Sequence, residues 1–198
     1  MNKKVALGVA LISISVIGLL TVSFYQLRPS SGIELASGIA EQYLASLDNP
    51  DLAIDEIMEF EQNFYVVYFE ESTGIGAFEM LIDKDTGRIF PEYGPNMMWN
   101  TKYGHGGMMC CVRDPSPFPS AEMPIDQDEA VAIAQEYLDQ YVPGTVAGDP
   151  HPFYGYYTIH ITKDNEIYGM LSVHGTDGTV WYHNWHGAHI QSLELHEE

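Results

Sequence analysis

The chain has 198 residues, of which 28 are acidic and 8 are Lys or Arg, for a formal net charge of −20 at pH 7. That balance repels phosphate backbones and anionic headgroups, so nucleic acid and acidic lipid surfaces are excluded as partners. The two cysteines, Cys110 and Cys111, are adjacent and cannot staple distant parts of a fold, so stability must come from packing, to which the 45% hydrophobic content is suited.

Val5–Tyr25 is apolar apart from small Gly, Ser and Thr residues, carries no charge, and follows Lys3 and Lys4. A run of about twenty such residues spans a bilayer core, and the positive-inside rule would keep the N-terminus in the cytoplasm. A cleaved signal peptide shares the charged start and apolar core. The length of the run and the lack of an A-x-A site favour an uncleaved anchor. Either way, residues from about Pro29 onward are expected outside the cytoplasm, on a single-pass membrane protein or, after cleavage, a secreted one.

The first folded unit opens with Ser31-x-x-Glu34, a capping-box pattern. Leu35, Ile39, Tyr43 and Leu47 follow at helical spacing and predict the buried stripe, with Asp48-Asn49-Pro50 ending the helix. Strands are predicted at Ile57–Phe60, Phe64–Glu70, Ile75–Ile82 and Arg88–Tyr93, joined by Gly-containing polar turns. Gly94–Pro124 then forms a linker whose second half, Arg113–Ser120, is Pro-rich. A second helix start at Asp126-x-x-Glu129 leads the stripe Ala130, Ile133, Ala134, Tyr137, Leu138 and Tyr141. Strands are predicted after it at Tyr154–Thr162, Glu166–His174 and Thr179–Asn184.

The run Ala36–Leu44 is answered by Ala130–Leu138, and the turn Asp83–Gly87 by Gly175–Gly178. Such self-similarity predicts an α+β fold of two tandem repeats, each one helix packed on a small antiparallel sheet, after an N-terminal transmembrane helix. The residues Asp126-Gln127-Asp128-Glu129-Ala130-x-x-Ile133-Ala134-x-x-Tyr137-Leu138, and in the first unit Ile39-Ala40-x-x-Tyr43-Leu44 with Ile82-Asp83-Lys84-Asp85-Thr86-Gly87-Arg88-Ile89, resemble the PepSY domain. His174 and Gly175 stand where the first unit has Asp83 and Lys84. The resemblance implies non-catalytic, extracytoplasmic modules that bind or modulate a protein or peptide of the cell envelope, a protease among the candidates. The expected organisation is a stub and anchor at 1–28, PepSY-like units at 31–93 and 125–189, the loop and linker at 94–124, and an acidic tail at 190–198.

Two segments concentrate metal-binding side chains. Met97, Met98, His105, Met108, Met109, Cys110 and Cys111 crowd one glycine-rich loop, and thioether and thiolate sulfur favour Cu(I). The competing reading is that methionines fill irregular gaps between the units. The second segment holds His183, His186 and His189 at three-residue spacing, and it occupies the place in the second unit that Glu92–Met98 occupies in the first. Imidazoles there would meet on an ion if the segment turns and would diverge if it stays extended. His160 is placed on the strand face opposite Tyr157, Ile159 and Ile161, where exposure is expected. Glu70-Glu71 reads as a solvated turn.

No H-E-x-x-H, G-x-S-x-G, Walker loop or C-x-x-C-H haem motif is present. The sequence therefore points to a non-enzymatic binding protein without a cofactor, with a soft-metal (copper) binding protein of the envelope as the alternative.

Overall fold

The computed structural model describes residues 32–104 and 123–196. Helix α1 (Gly32–Ser46) buries Ile33, Ala36 and Ala40. Of the predicted stripe, Ile39, Tyr43 and Leu47 pack half-buried against the same core, whereas Leu35 is 60% exposed and the deepest positions are Ile33, Ala36 and Ala40. The physical reason is close approach: alanine adds no bulk at the contact, so the helix backbone rides low enough for the Tyr68 hydroxyl to donate to the Ala40 carbonyl at 3.0 Å.

Strands β1 (Leu52–Phe60), β2 (Asn63–Glu70), β3 (Gly76–Asp83) and β4 (Ile89–Pro91) follow in an antiparallel ladder. The β3–β4 turn closes where Asp83 Oδ1 accepts from Thr86 N at 2.8 Å and Thr86 Oγ1 at 2.6 Å. Gly87 completes the turn at φ 68°, a conformation that favours glycine. A single helical turn, α2 (Pro95–Met98), leaves the ladder.

The second half begins with α3 (Gln127–Tyr141), whose N-cap Asp126 accepts from Glu129 N at 2.9 Å. It buries Ala130, Ala134 and Leu138, whereas Tyr141 is exposed. Strands β5 (Val146–Phe153), β6 (Tyr156–Lys163), β7 (Glu166–His174) and β8 (Val180–Tyr182) form a second antiparallel ladder, and β9 (His189–Glu194) returns to pair with β1.

The fold differs from the two separate modules expected, each on its own antiparallel sheet. All nine strands join in one mixed sheet with the path β8-β7-β6-β5-β3-β2-β1-β9 and β4 on β3. The link is parallel and consists of one register pair, Gly76 with Phe153. Pro150 and Pro152 in β5 have no N–H to give a neighbouring strand, which restricts this contact to a single bridge. The stretch read as an acidic tail supplies β9. The expectation of a membrane-anchored protein outside the cytoplasm is also corrected. No helix among the described residues is long and apolar enough to cross a membrane, and the apolar run Val5–Tyr25 lies outside them.

Helix α1 covers one face of the first ladder, over Phe64, Val66, Tyr68, Phe78, Met80 and Ile82. Helix α3 covers one face of the second, over Tyr157, Ile159, Ile161, Leu171 and Val173. The remaining faces of both ladders meet in a third core that includes Met58, Phe60, Tyr65 and Leu81 from the first and Phe153, Tyr156 and Met170 from the second. This explains why every residue of β2 is buried, on both of its faces. It also puts polar side chains of both ladders into one interior.

Candidate metal centre

Glu79 on β3 is fully buried and points into the space between the ladders. Its Oε1 accepts from Tyr65 at 2.5 Å and Thr158 at 2.7 Å, and its Oε2 from Tyr156 at 2.6 Å. Burial, with the neighbouring charge of Glu92, pushes its carboxyl up to about 7. Beside β3 the Asn96 side chain mimics a strand. Its Oδ1 accepts from Glu79 N at 3.0 Å, and its Nδ2 donates to Glu79 O at 2.9 Å. Together with the Glu92 N to Glu79 O bond at 3.0 Å, this fixes the chain beyond β4 so that Glu92 is completely buried.

The partners of Glu92 come from the second half. His183 follows β8 and is held by its N–H to Met170 O at 3.0 Å. The loop beyond it is pinned to the β1–β2 turn by Gln62 N to His186 O at 3.0 Å and Glu61 N to Ala188 O at 2.9 Å. His186 stacks on Phe60 with ring centroids 4.5 Å apart, and His183 stacks on Trp185 at 4.7 Å. Both imidazoles are buried. One ligand atom from each of Glu92, His183 and His186 lies within 4.8 Å of the other two.

The hydrogen-bond network fixes both tautomers. Asn63 Nδ2 donates to Trp185 O at 2.9 Å, so Asn63 presents its Oδ1 to His186 Nδ1 at 2.8 Å. His186 therefore carries its proton on Nδ1, and its Nε2 lone pair faces Glu92 Oε1 at 3.0 Å. Thr158 gives its proton to Glu79, so it accepts from Ser172 at 3.1 Å, and Ser172 in turn accepts from His183 Nε2 at 2.9 Å. His183 Nδ1 then points at Glu92 Oε1 from 3.3 Å. Neither His183 Nδ1 nor Glu92 Oε2 has a hydrogen-bond partner. Two imidazole nitrogens thus converge on the Glu92 carboxylate, whose Oε1 also accepts from Trp185 Nε1 at 3.2 Å, and the unpartnered His183 Nδ1 and Glu92 Oε2 give the dry interior room for a cation or an added proton.

The titration behaviour follows from the same geometry. Burial opposes ionisation of Glu92, but the adjacent His183 charge and the His186 contact outweigh it and hold the carboxyl well below its usual range. Burial alone would depress His183, and Glu92 overrides it, so His183 is raised. For His186 burial wins and the imidazole is lowered. A proton on His183 balances Glu92 when no metal is bound, and a divalent ion would replace it.

Of the residues singled out in the sequence, His183 and His186 meet here. His189 does not: its Nε2 lies 3.0 Å from Ser192 Oγ, and its ring sits edge-on to Phe60. Met97 is half-buried in α2 and Met98 is 70% exposed. His105, Met108, Met109, Cys110 and Cys111 lie outside the described residues. Sequence reasoning missed Glu92 as a ligand and Glu79 as its neighbour. The available signal for Glu79 was a lone acid inside the apolar run Ala77-Phe78-Glu79-Met80-Leu81. Glu70, read as solvated, is buried and bonded to Lys102, Tyr103 and Tyr154. Compared with protein-family profiles, with curated proteins and with solved structures, the chain has no match.

Proposed function

We propose that this chain is a metal-binding protein, with Glu92, His183 and His186 holding one divalent transition ion. The observation that carries the reading is the convergence of three buried donor atoms whose lone pairs face one another because Asn63 and Ser172 hold the outer imidazole nitrogens. Two borderline imidazoles and a hard carboxylate suit Zn(II), and equally Fe(II), Ni(II) or Cu(II), better than Cu(I). All three ligands are buried and come from both halves of the chain, so an ion held by them would tie the first half to the second.

The test is metal analysis of the full chain after exposure to Zn(II), Cu(II) and Cu(I), followed by removal of loosely held ion. One equivalent of Zn(II) is expected, lost in Glu92→Gln and His186→Ala. It should be retained in His189→Ala, in Met97→Leu/Met98→Leu, and when Met108, Met109, Cys110 and Cys111 are replaced together. Retention in His186→Ala, or loss only when the loop residues are replaced, would overturn the assignment.

A further inference from the structure

Strand β9 stands at the end of the strand path, with β1 as its neighbour. Its grip on the core is slight: Leu193 packs half-buried against the first core, and Ile190 is 52% exposed. An edge strand with so little burial opens at a fraction of the cost of unfolding the whole chain. Opposite it on β1, Glu56 is only 6% exposed and lies directly across the register from Glu194. The Glu56 side chain is hydrogen-bonded to those of Ser192 and Glu194. Two carboxyl groups can share a hydrogen bond only while one of them keeps a proton, and ionisation costs more for the buried one.

The surroundings do not compensate a second negative charge there. Asp55, the neighbour of Glu56 on β1, adds to the repulsion. From β6, His160 Nε2 stands 3.6 Å from Glu56 Oε2, but burial, followed by His151, His189 and His183, pushes that imidazole down to about 4 and leaves it neutral. His151 of β5 faces Asp55 at 3.5 Å. Asp149 of β5 and His196 beyond β9 complete the titratable lining of the adjoining cleft, among whose described residues there is neither Lys nor Arg. Burial, followed by the charge of Glu194, pushes Glu56 up to about 8. A carboxyl raised in the closed strand favours closure most at low pH, and that advantage is lost as pH rises to the closed-state value. His160 and His189, both lowered by burial, act in the reverse sense below their ordinary value of 6.5. Within this cluster, Glu56 therefore sets the trend between about pH 6.5 and 8.

We propose that β9 is a proton-held latch: the proton shared by Glu56 and Glu194 keeps the strand on β1, and its loss to solvent as pH rises releases the strand. Release bares the edge of β1. Because β9 follows directly on the loop that carries His183 and His186, the latch also links that loop to the surrounding pH.

Hydrogen–deuterium exchange of the full chain reads the latch directly, in chelator so that the outcome does not depend on the metal centre. Rates are corrected at each pH for the intrinsic exchange of an unprotected amide. Opening of 189–195 should rise about thirtyfold between about pH 6.5 and 8, which is about tenfold per pH unit, while β6 stays better protected by more than about tenfold. Glu56→Gln keeps a donor towards Glu194 at every pH, and should hold 189–195 at its low-pH protection throughout. Glu79 and His183 are unchanged in that variant, so a trend owed to them would survive it. Glu194→Gln alters an exposed side chain, and should bring the plateau of the rise, expected near pH 8, to lower pH. A flat profile in the unaltered chain, an undiminished trend in Glu56→Gln, an unmoved plateau in Glu194→Gln, or exchange of 189–195 in step with β6 would each overturn the proposal.

Discussion

Removing the ion from the Glu92–His183–His186 centre should lower the melting temperature by a calculable amount. Glu92 lies 94 positions before His186 in the chain and on the other ladder, so unfolding separates the donors completely. An ion that binds only the folded state adds RT ln(1 + [ion]/Kd), which is about 2.7 kcal/mol at a hundredfold excess over Kd. For a domain of this size each kcal/mol moves the midpoint by about 2–4 °C, so the expected shift is about 5–11 °C. The assay is a far-UV circular dichroism melt with Zn(II) at a hundredfold excess over the Kd measured by competition, against the same protein in chelator. Glu92→Gln should abolish the difference, and His189→Ala should keep it. Equal midpoints with and without Zn(II), or an undiminished shift in Glu92→Gln, would refute the reasoning, because the ion would then be absent or bound elsewhere.

Two further outcomes follow from the packing and the charges. At Gly76, a Cβ would come within 2.5 Å of the Phe153 ring at the single bridge between the ladders, so Gly76→Ala should cost about 1–3 kcal/mol in urea unfolding, and an unchanged midpoint would mean the junction is slack. Glu56 is raised from 4.5 to about 8, chiefly by burial and then by Glu194. A carboxyl raised on folding stabilises fully below its unfolded value and loses that contribution as pH rises through the folded one. The urea midpoint should therefore fall between pH 5 and pH 9, by on the order of several kcal/mol of stability. Glu79, raised to about 7, adds to the same fall. Glu56→Gln should shrink it, and Glu194→Gln should shrink it less; a fall of the same size in Glu56→Gln would contradict the assignment.

How much of the fold was visible in the sequence depended on whether local chemistry or distant pairing shaped each element. Asp126 capping α3 and the Asp83-Thr86-Gly87 turn are local, and each closes through its own side chain. Strand β2 was legible because aromatic and β-branched residues fill it throughout. Strand β5 was not, because Gly148, Asp149, Pro150 and Pro152 are poor strand formers, and its strand form depends on pairing with β6. Strand β9 was read, from residue 190 onward, as part of an acidic tail, and its pairing is to the distant edge of β1. The spacing of α1 placed Ile39, Tyr43 and Leu47 on the core side, where they pack, but extended the stripe to the exposed Leu35 and passed over Ala36 and Ala40, whose smallness lets the helix approach the sheet.

The candidate site divides along the same line. His183 and His186 stood out because imidazoles were concentrated in one segment, and the loop does turn enough to bring these two together. His189 misses because its residue already belongs to β9, where extended backbone carries the ring away from its neighbours. Glu92 had no local mark: beside Phe90 and Tyr93 it looks like an ordinary strand-end acid. It meets the two imidazoles only because the two ladders pack on one another in a shared core, placing the end of β4 against the loop after β8. Sequence spacing within either half could not have shown this, since the site is made by the closure itself. The same closure buries Glu79 under hydroxyls from both halves, and through Thr158 and Ser172 those hydroxyls set the tautomer of His183. The donor geometry therefore depends on the two halves being correctly joined, and an ion bound there would in turn hold them together.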